Sequence, residues 1–121
     1  MKKKAILIGL ALGFSNGVFA QQVAVPRLTV KTLIAYYAGQ AGIPFHEQSA
    51  DAISKTRLAD GYLAGVADST QGKTWCDKGK VKTDEINAMV VAELKKLSSK
   101  DQEKSAAQAT LKILETKFPC K

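Results

Sequence analysis

Few residues in this chain could do acid–base or covalent chemistry, and their spacing argues against most of it. His46 is the sole histidine, set between Phe45 and Glu47. One imidazole in a turn with no partner motif reads as solvated. Cys76 and Cys120 form no CxxC redox pair, and two cysteines with one histidine cannot close a four-ligand zinc site. The serines fall at helix starts and in loops, without a G-x-S-x-G elbow. Asp60 and Asp68 stand about 12 Å apart along one helix, too wide for a carboxylate pair. They read as solvated, or paired with Arg57 or a lysine. There is no P-loop, no GxGxxG and no metal-ligand cluster. The residues describe a protein that is not an enzyme and needs neither cofactor nor metal.

What remains is a surface. The stretch TWCDKGKVKTDEI, residues 74–86, carries the single tryptophan and one cysteine. Trp75 with Lys73, Lys78, Lys80 and Lys82 has the composition of a binding patch, in which an aromatic ring and positive charge supply much of the affinity. The other reading folds Trp75 back over the helices and leaves the lysines as solvent cover. Tyr36 and Tyr37 are neighbours, so they cannot both face a core.

The elements that must hold this loop follow from pattern. Residues 1–20 read as a secretory signal peptide: Lys2, Lys3 and Lys4, an apolar run over 5–14, then Val18-Phe19-Ala20 as a small-residue cleavage site. The run is too short to span a bilayer. The expected mature domain is 21–121, one domain in the periplasm. With the three lysines removed, 15 basic residues face 11 acidic ones. That modest excess, scattered among acids in an exported chain, argues against nucleic acid and could draw the protein to acidic partners or to the anionic cell envelope.

Within 21–121 the apolar residues recur at helical spacing. Thr29 can cap a first helix striped by Val30, Leu33, Ile34, Tyr37, Ala38 and Ala41, weakened at its end by Gly39 and Gly42. Ser49 caps a second, about 50–69, striped by Ala52, Ile53, Thr56, Ala59, Leu63, Val66 and Ala67. Gly61 and Gly65 interrupt it, each costing about 1 kcal/mol against alanine. Close approach of a neighbouring helix would offset that. Thr83 caps a third helix, striped by Ile86, Met89, Val90, Leu94 and Leu97. A box at Ser99-x-x-Gln102 opens a fourth, with Ala106, Ala107, Thr110, Leu111, Leu114 and Phe118, stopped by Pro119. The expected fold is an all-α, four-helix domain. Its last two helices form an antiparallel hairpin. That brings Cys76, before one helix, beside Cys120, after the other. Two cysteines in an exported chain then read as a disulfide. It closes a loop of about 43 residues, a constraint of about 4 kcal/mol.

The elements Gly61-Tyr62-Leu63-x-Gly65-Val66-x-Asp68, then Trp75-Cys76, then Ala106-Ala107, then Phe118-Pro119-Cys120, in that order, resemble the Rap/Tai immunity proteins of bacterial type VI secretion. The likeness runs from about Leu33 to Cys120. It implies a small helical periplasmic protein, often a homodimer, that binds and inhibits a secreted toxin, a peptidoglycan amidase. It also implies that Gly61, Tyr62, Gly65, Asp68, Cys76, Phe118 and Cys120 are structural. Many members carry a second cysteine pair at positions held here by Tyr36 or Tyr37 and by Ala59. No family motif defines the toxin contacts. The Trp75 loop is the first candidate to occlude the toxin and the turn over 97–102 the second. A small acid-stress chaperone of the periplasm, also helical with one disulfide, is the alternative.

Overall fold

A computed structural model describes residues 27–38 and 42–121. The expected signal peptide, the start of the arm that follows it, and Gly39 and Ala41 lie outside the described residues. Among those described, the helices are α1 (Val30–Ala38), a 3-10 turn (Phe45–Glu47), α2 (Ala50–Thr70), α3 (Thr83–Leu94), α4 (Ser99–Gln102) and α5 (Ala106–Lys117). There is no strand among them. None of the helices is long and apolar enough to cross a membrane.

Capping chemistry starts each helix. The Thr32 N–H donates to Thr29 Oγ1 at 3.2 Å, and the Ala52 N–H to Ser49 Oγ at 3.1 Å, satisfying donors that the first helical turn leaves open. The third helix differs from expectation. Thr83 is its first helical residue and Lys82 holds the cap position. A lysine side chain has no acceptor, so only the reach-back half of a capping box forms: the Lys82 N–H donates to the Glu85 carboxylate at 3.1 Å.

The expected fourth helix is two helices, which makes five α-helices among the described residues. The break at Ser105 has a physical cause. The Val30 N–H donates to the Lys104 carbonyl and the Ala106 N–H to the Leu28 carbonyl, both at 3.0 Å. Backbone groups that would carry one helix through 103–106 are spent on a bridge to the segment before α1. Ser98 and Ser105 then cap α4 and α5 separately.

The core lies where α1, α2, α3 and α5 meet. Leu33, Leu63, Leu94 and Leu114, one from each of those helices, are fully buried, with Val30, Ala59, Val90 and Ala106 around them. Each large apolar side chain so buried contributes about 1.5–3 kcal/mol. Gly61 and Gly65 do not serve this packing. Both are exposed, and beyond the adjoining backbone of α2 itself nothing lies within 4 Å of where their Cβ would sit. The close helix contact expected there is not made within the chain.

The hairpin of α3 and α5 is closed as the sequence implied. Cys76 and Cys120 are bonded, with Cα atoms 4.9 Å apart. The Cys76 N–H donates to the Phe118 carbonyl at 2.8 Å, and Trp75 pairs through its backbone with Pro119.

Candidate functional site

The loop between α2 and α3 is built from the inside outward. Trp75 is 1 % exposed. Its indole N–H donates to Thr70 Oγ1 at 3.0 Å and to the Ala67 carbonyl at 3.2 Å, so the ring is buried without stranding its one polar atom. As a contact anchor it is corrected: the core reading holds for Trp75. An indole that can lie against leucine, phenylalanine and a helix C-terminus loses more by facing water than it gains there.

Asp77, which sequence reasoning passed over, fixes the next turn. It is nearly buried. Its carboxylate accepts the Gly79 N–H at 2.9 Å, the Val81 N–H at 3.4 Å and the Gln71 side-chain amide. These donors, Gly79 first, hold its pKa below the ordinary carboxylate value against the opposing effect of burial. The Asp-x-Gly spacing is the signal that could have marked it, since Asp readily bonds the backbone two residues on. Lys78 takes a left-handed conformation (φ 61°) and Gly79 follows at 68°. Glycine adopts it freely, whereas for Lys78 it is strained by about 1 kcal/mol.

The turn throws its charges outward. Lys73, Lys78, Lys80 and Lys82 are all exposed. Lys73 Nζ reaches only the Ser69 carbonyl, at 3.4 Å. Lys78, Lys80 and Lys82 are therefore displayed by a segment held at both ends, by the Trp75–Cys76 clasp and by the start of α3, while Lys73 stands just before the clasp. Such an arc speeds and orients association with an acidic partner. The 97–102 turn is also pinned, by Ser98 Oγ receiving the Asp101 N–H at 3.2 Å and by the Gln102 side-chain amide donating to the Leu97 carbonyl at 3.0 Å.

The motif residues divide. Tyr62 and Phe118 pack against the core, and Cys76 and Cys120 form the clasp. Gly61, Gly65 and Asp68 lie on the surface, so packing within the chain does not account for them. Asp60 is hydrogen-bonded, and it pairs with no cation among the described residues. The Tyr37 hydroxyl donates to its Oδ1 at 2.7 Å, and Asn87 Nδ2 approaches the same oxygen at 3.4 Å. Burial, and then the Asp60 hydrogen bond and charge, push the Tyr37 pKa above its ordinary value. With Thr56 Oγ1 donating to the Tyr36 carbonyl at 3.0 Å, this polar contact ties α1 to α2. His46 lies exposed in the 3-10 turn, 3.5 Å from the Glu47 carboxylate.

The described residues thus form a small helical domain closed by one disulfide, with a pinned basic loop on its surface. The family model of the Rap1a immunity proteins matches residues 29–120, and the chain belongs to that family. No curated protein sequence matches it. Membership gives the chain an immunity function, exercised by binding a toxin.

Proposed function

We propose that residues 1–20 export this chain to the periplasm, where it binds and occludes a peptidoglycan amidase delivered by type VI secretion. The observation that carries the reading is the family match over nearly the whole described domain. The disulfide supports the compartment, since such bonds persist in oxidising surroundings. The Asp77-pinned loop supports the mode of action. Lys78, Lys80 and Lys82 project from a backbone already ordered, so little conformational freedom is lost on docking. The loop seats against the toxin's active-site groove and excludes the peptide substrate; the 97–102 turn forms a second edge of the same contact. Domain 21–121 is the binding unit.

The test is protection. Amidases, glycosidases and phospholipases of the injected type are each directed to the periplasm of a sensitive host, with the full chain or with a form lacking residues 1–20. Rescue from an amidase by the full chain alone, with inhibition of cross-link hydrolysis by the purified mature chain, is the expected result. Neutralisation of a glycosidase or phospholipase instead, or equal rescue without residues 1–20, overturns the substrate class or the compartment respectively.

A further inference from the structure

The two sulfurs of the clasp sit in unlike surroundings. Cys76 is half-buried, between Trp75 in the core and the nearly buried Asp77. Cys120 belongs to an exposed tail, with Pro119 and Lys121 exposed on either side of it. That tail leaves α5 at Phe118, whose carbonyl accepts the Cys76 N–H, and pairs through Pro119 with the Trp75 backbone. One half of the bond is embedded in packed chain, and the other is offered to solvent.

The charge around the bond is one-sided as well. Lys73 lies three residues before Cys76 and Lys78 two residues after it, with Lys80 and Lys82 further along. All four are exposed, and none pairs with an acid among the described residues. Asp77 is the one acid over residues 69–83, and its carboxylate is spent on the Gly79 and Val81 N–H groups and the Gln71 amide. The segment that carries Cys76 is therefore a concentration of uncompensated positive charge.

A disulfide opens when a thiolate attacks one sulfur in line with the bond and the other departs as a thiolate. Access selects the sulfur attacked, and positive charge near the departing sulfur stabilises the thiolate it becomes. Here access selects Cys120 and charge selects Cys76 as the leaving group. The same lysines raise the local concentration of an incoming thiol that is itself an anion.

We propose that the clasp is a thiol-exchange site, at which a small thiol of net negative charge attacks Cys120 Sγ. The attacking sulfur bonds to Cys120 Sγ, the bond between the two half-cystines breaks, and its electron pair leaves with Cys76 Sγ, which takes a proton from solvent. A second molecule of the thiol attacks the sulfur of the first, which frees Cys120 and joins the two thiols in a disulfide of their own. Two electrons pass from two thiols to one protein disulfide. Opening releases the root of the basic loop from the end of α5, while the bonds made by Trp75 and Asp77 hold the core in place. Exchange at Cys120 thereby loosens the display of Lys78, Lys80 and Lys82.

The probe is glutathione, an anion at neutral pH, with uncharged 2-mercaptoethanol and cationic cysteamine as comparisons. Each is added to the folded, oxidised protein, free thiols are trapped by alkylation, and opening is followed by intact mass and peptide mapping. Glutathione is expected to open the bond in protein that circular dichroism shows to be folded, with the mixed disulfide on Cys120. Compared per thiolate at low salt, it is expected to react about tenfold faster than cysteamine, with mercaptoethanol between them and the spread narrowing as salt screens the lysines. Lys73→Gln combined with Lys78→Gln is expected to narrow the same spread several-fold. A bond that opens only in unfolded protein, a mixed disulfide on Cys76, or equal rates for the three thiols overturns the proposal. The unsubstituted protein supplies each of those readouts, so the folding of the variant does not decide the outcome. No toxin enters the measurement, and its result is independent of the protection assay.

Discussion

The rings of Trp75 and Phe118 lie with centroids 5.8 Å apart and planes tilted by 51°. Trp75 immediately precedes one half-cystine and Phe118 lies two residues before the other. The clasp is thus a ring contact, a backbone bridge and a covalent bond within a few residues of each other. It closes the α3–α5 hairpin and sets the root of the basic loop.

Trp75→Ala removes the largest fully buried side chain. The loss is expected to be about 3–5 kcal/mol of unfolding free energy, measured by urea denaturation followed by circular dichroism. A loss under about 1 kcal/mol would mean that the indole does not hold the core as its burial implies.

Replacing both Cys76 and Cys120 by alanine frees the chain over a sequence separation of 44. The expected cost is about 4 kcal/mol, chiefly through the less constrained unfolded state. The same denaturation series checks it, and reducing agent is expected to lower the midpoint of the unmodified protein while leaving the double variant unmoved.

Asp77 gives a pH dependence with a definite sign. Its pKa is lowered in the folded state, so near the ordinary carboxylate pKa the unfolded chain binds more protons than the folded one. The stabilisation is fully present above that ordinary value, about 3.9, and is lost as pH falls through the folded value. Asp77→Asn is expected to flatten the acid limb of the stability profile and, by loosening the 77–81 turn, to weaken toxin binding. An unchanged acid limb in thermal melts from pH 2 to pH 6 would contradict this.

Lys78, Lys80 and Lys82 are expected to act on association. Their joint reversal to glutamate lowers the association rate with the toxin by about tenfold or more at low salt, with little change in the thermal midpoint because all three are exposed. Stopped-flow measurements across ionic strength check it. A rate loss that does not shrink as salt rises would place these lysines outside the contact.

Residue pattern alone gave the helical class, because apolar side chains every three or four residues can be buried together only by a helix. It gave the caps at Thr29 and Ser49 for the same local reason. The disulfide was legible too, since two cysteines at the open end of a hairpin have one partner each. Pattern could not reveal the break at Ser105, which depends on Leu28 and Val30, far away in sequence, taking the backbone bonds of 104 and 106. It left Trp75 between core and surface, because the side of a loop residue that meets water is decided by the chain folded around it. Glycine spacing promised a helix contact at Gly61 and Gly65, and the tertiary arrangement left that face open. Local interactions fix which segments are helical; which faces stay uncovered depends on where every other segment ends up.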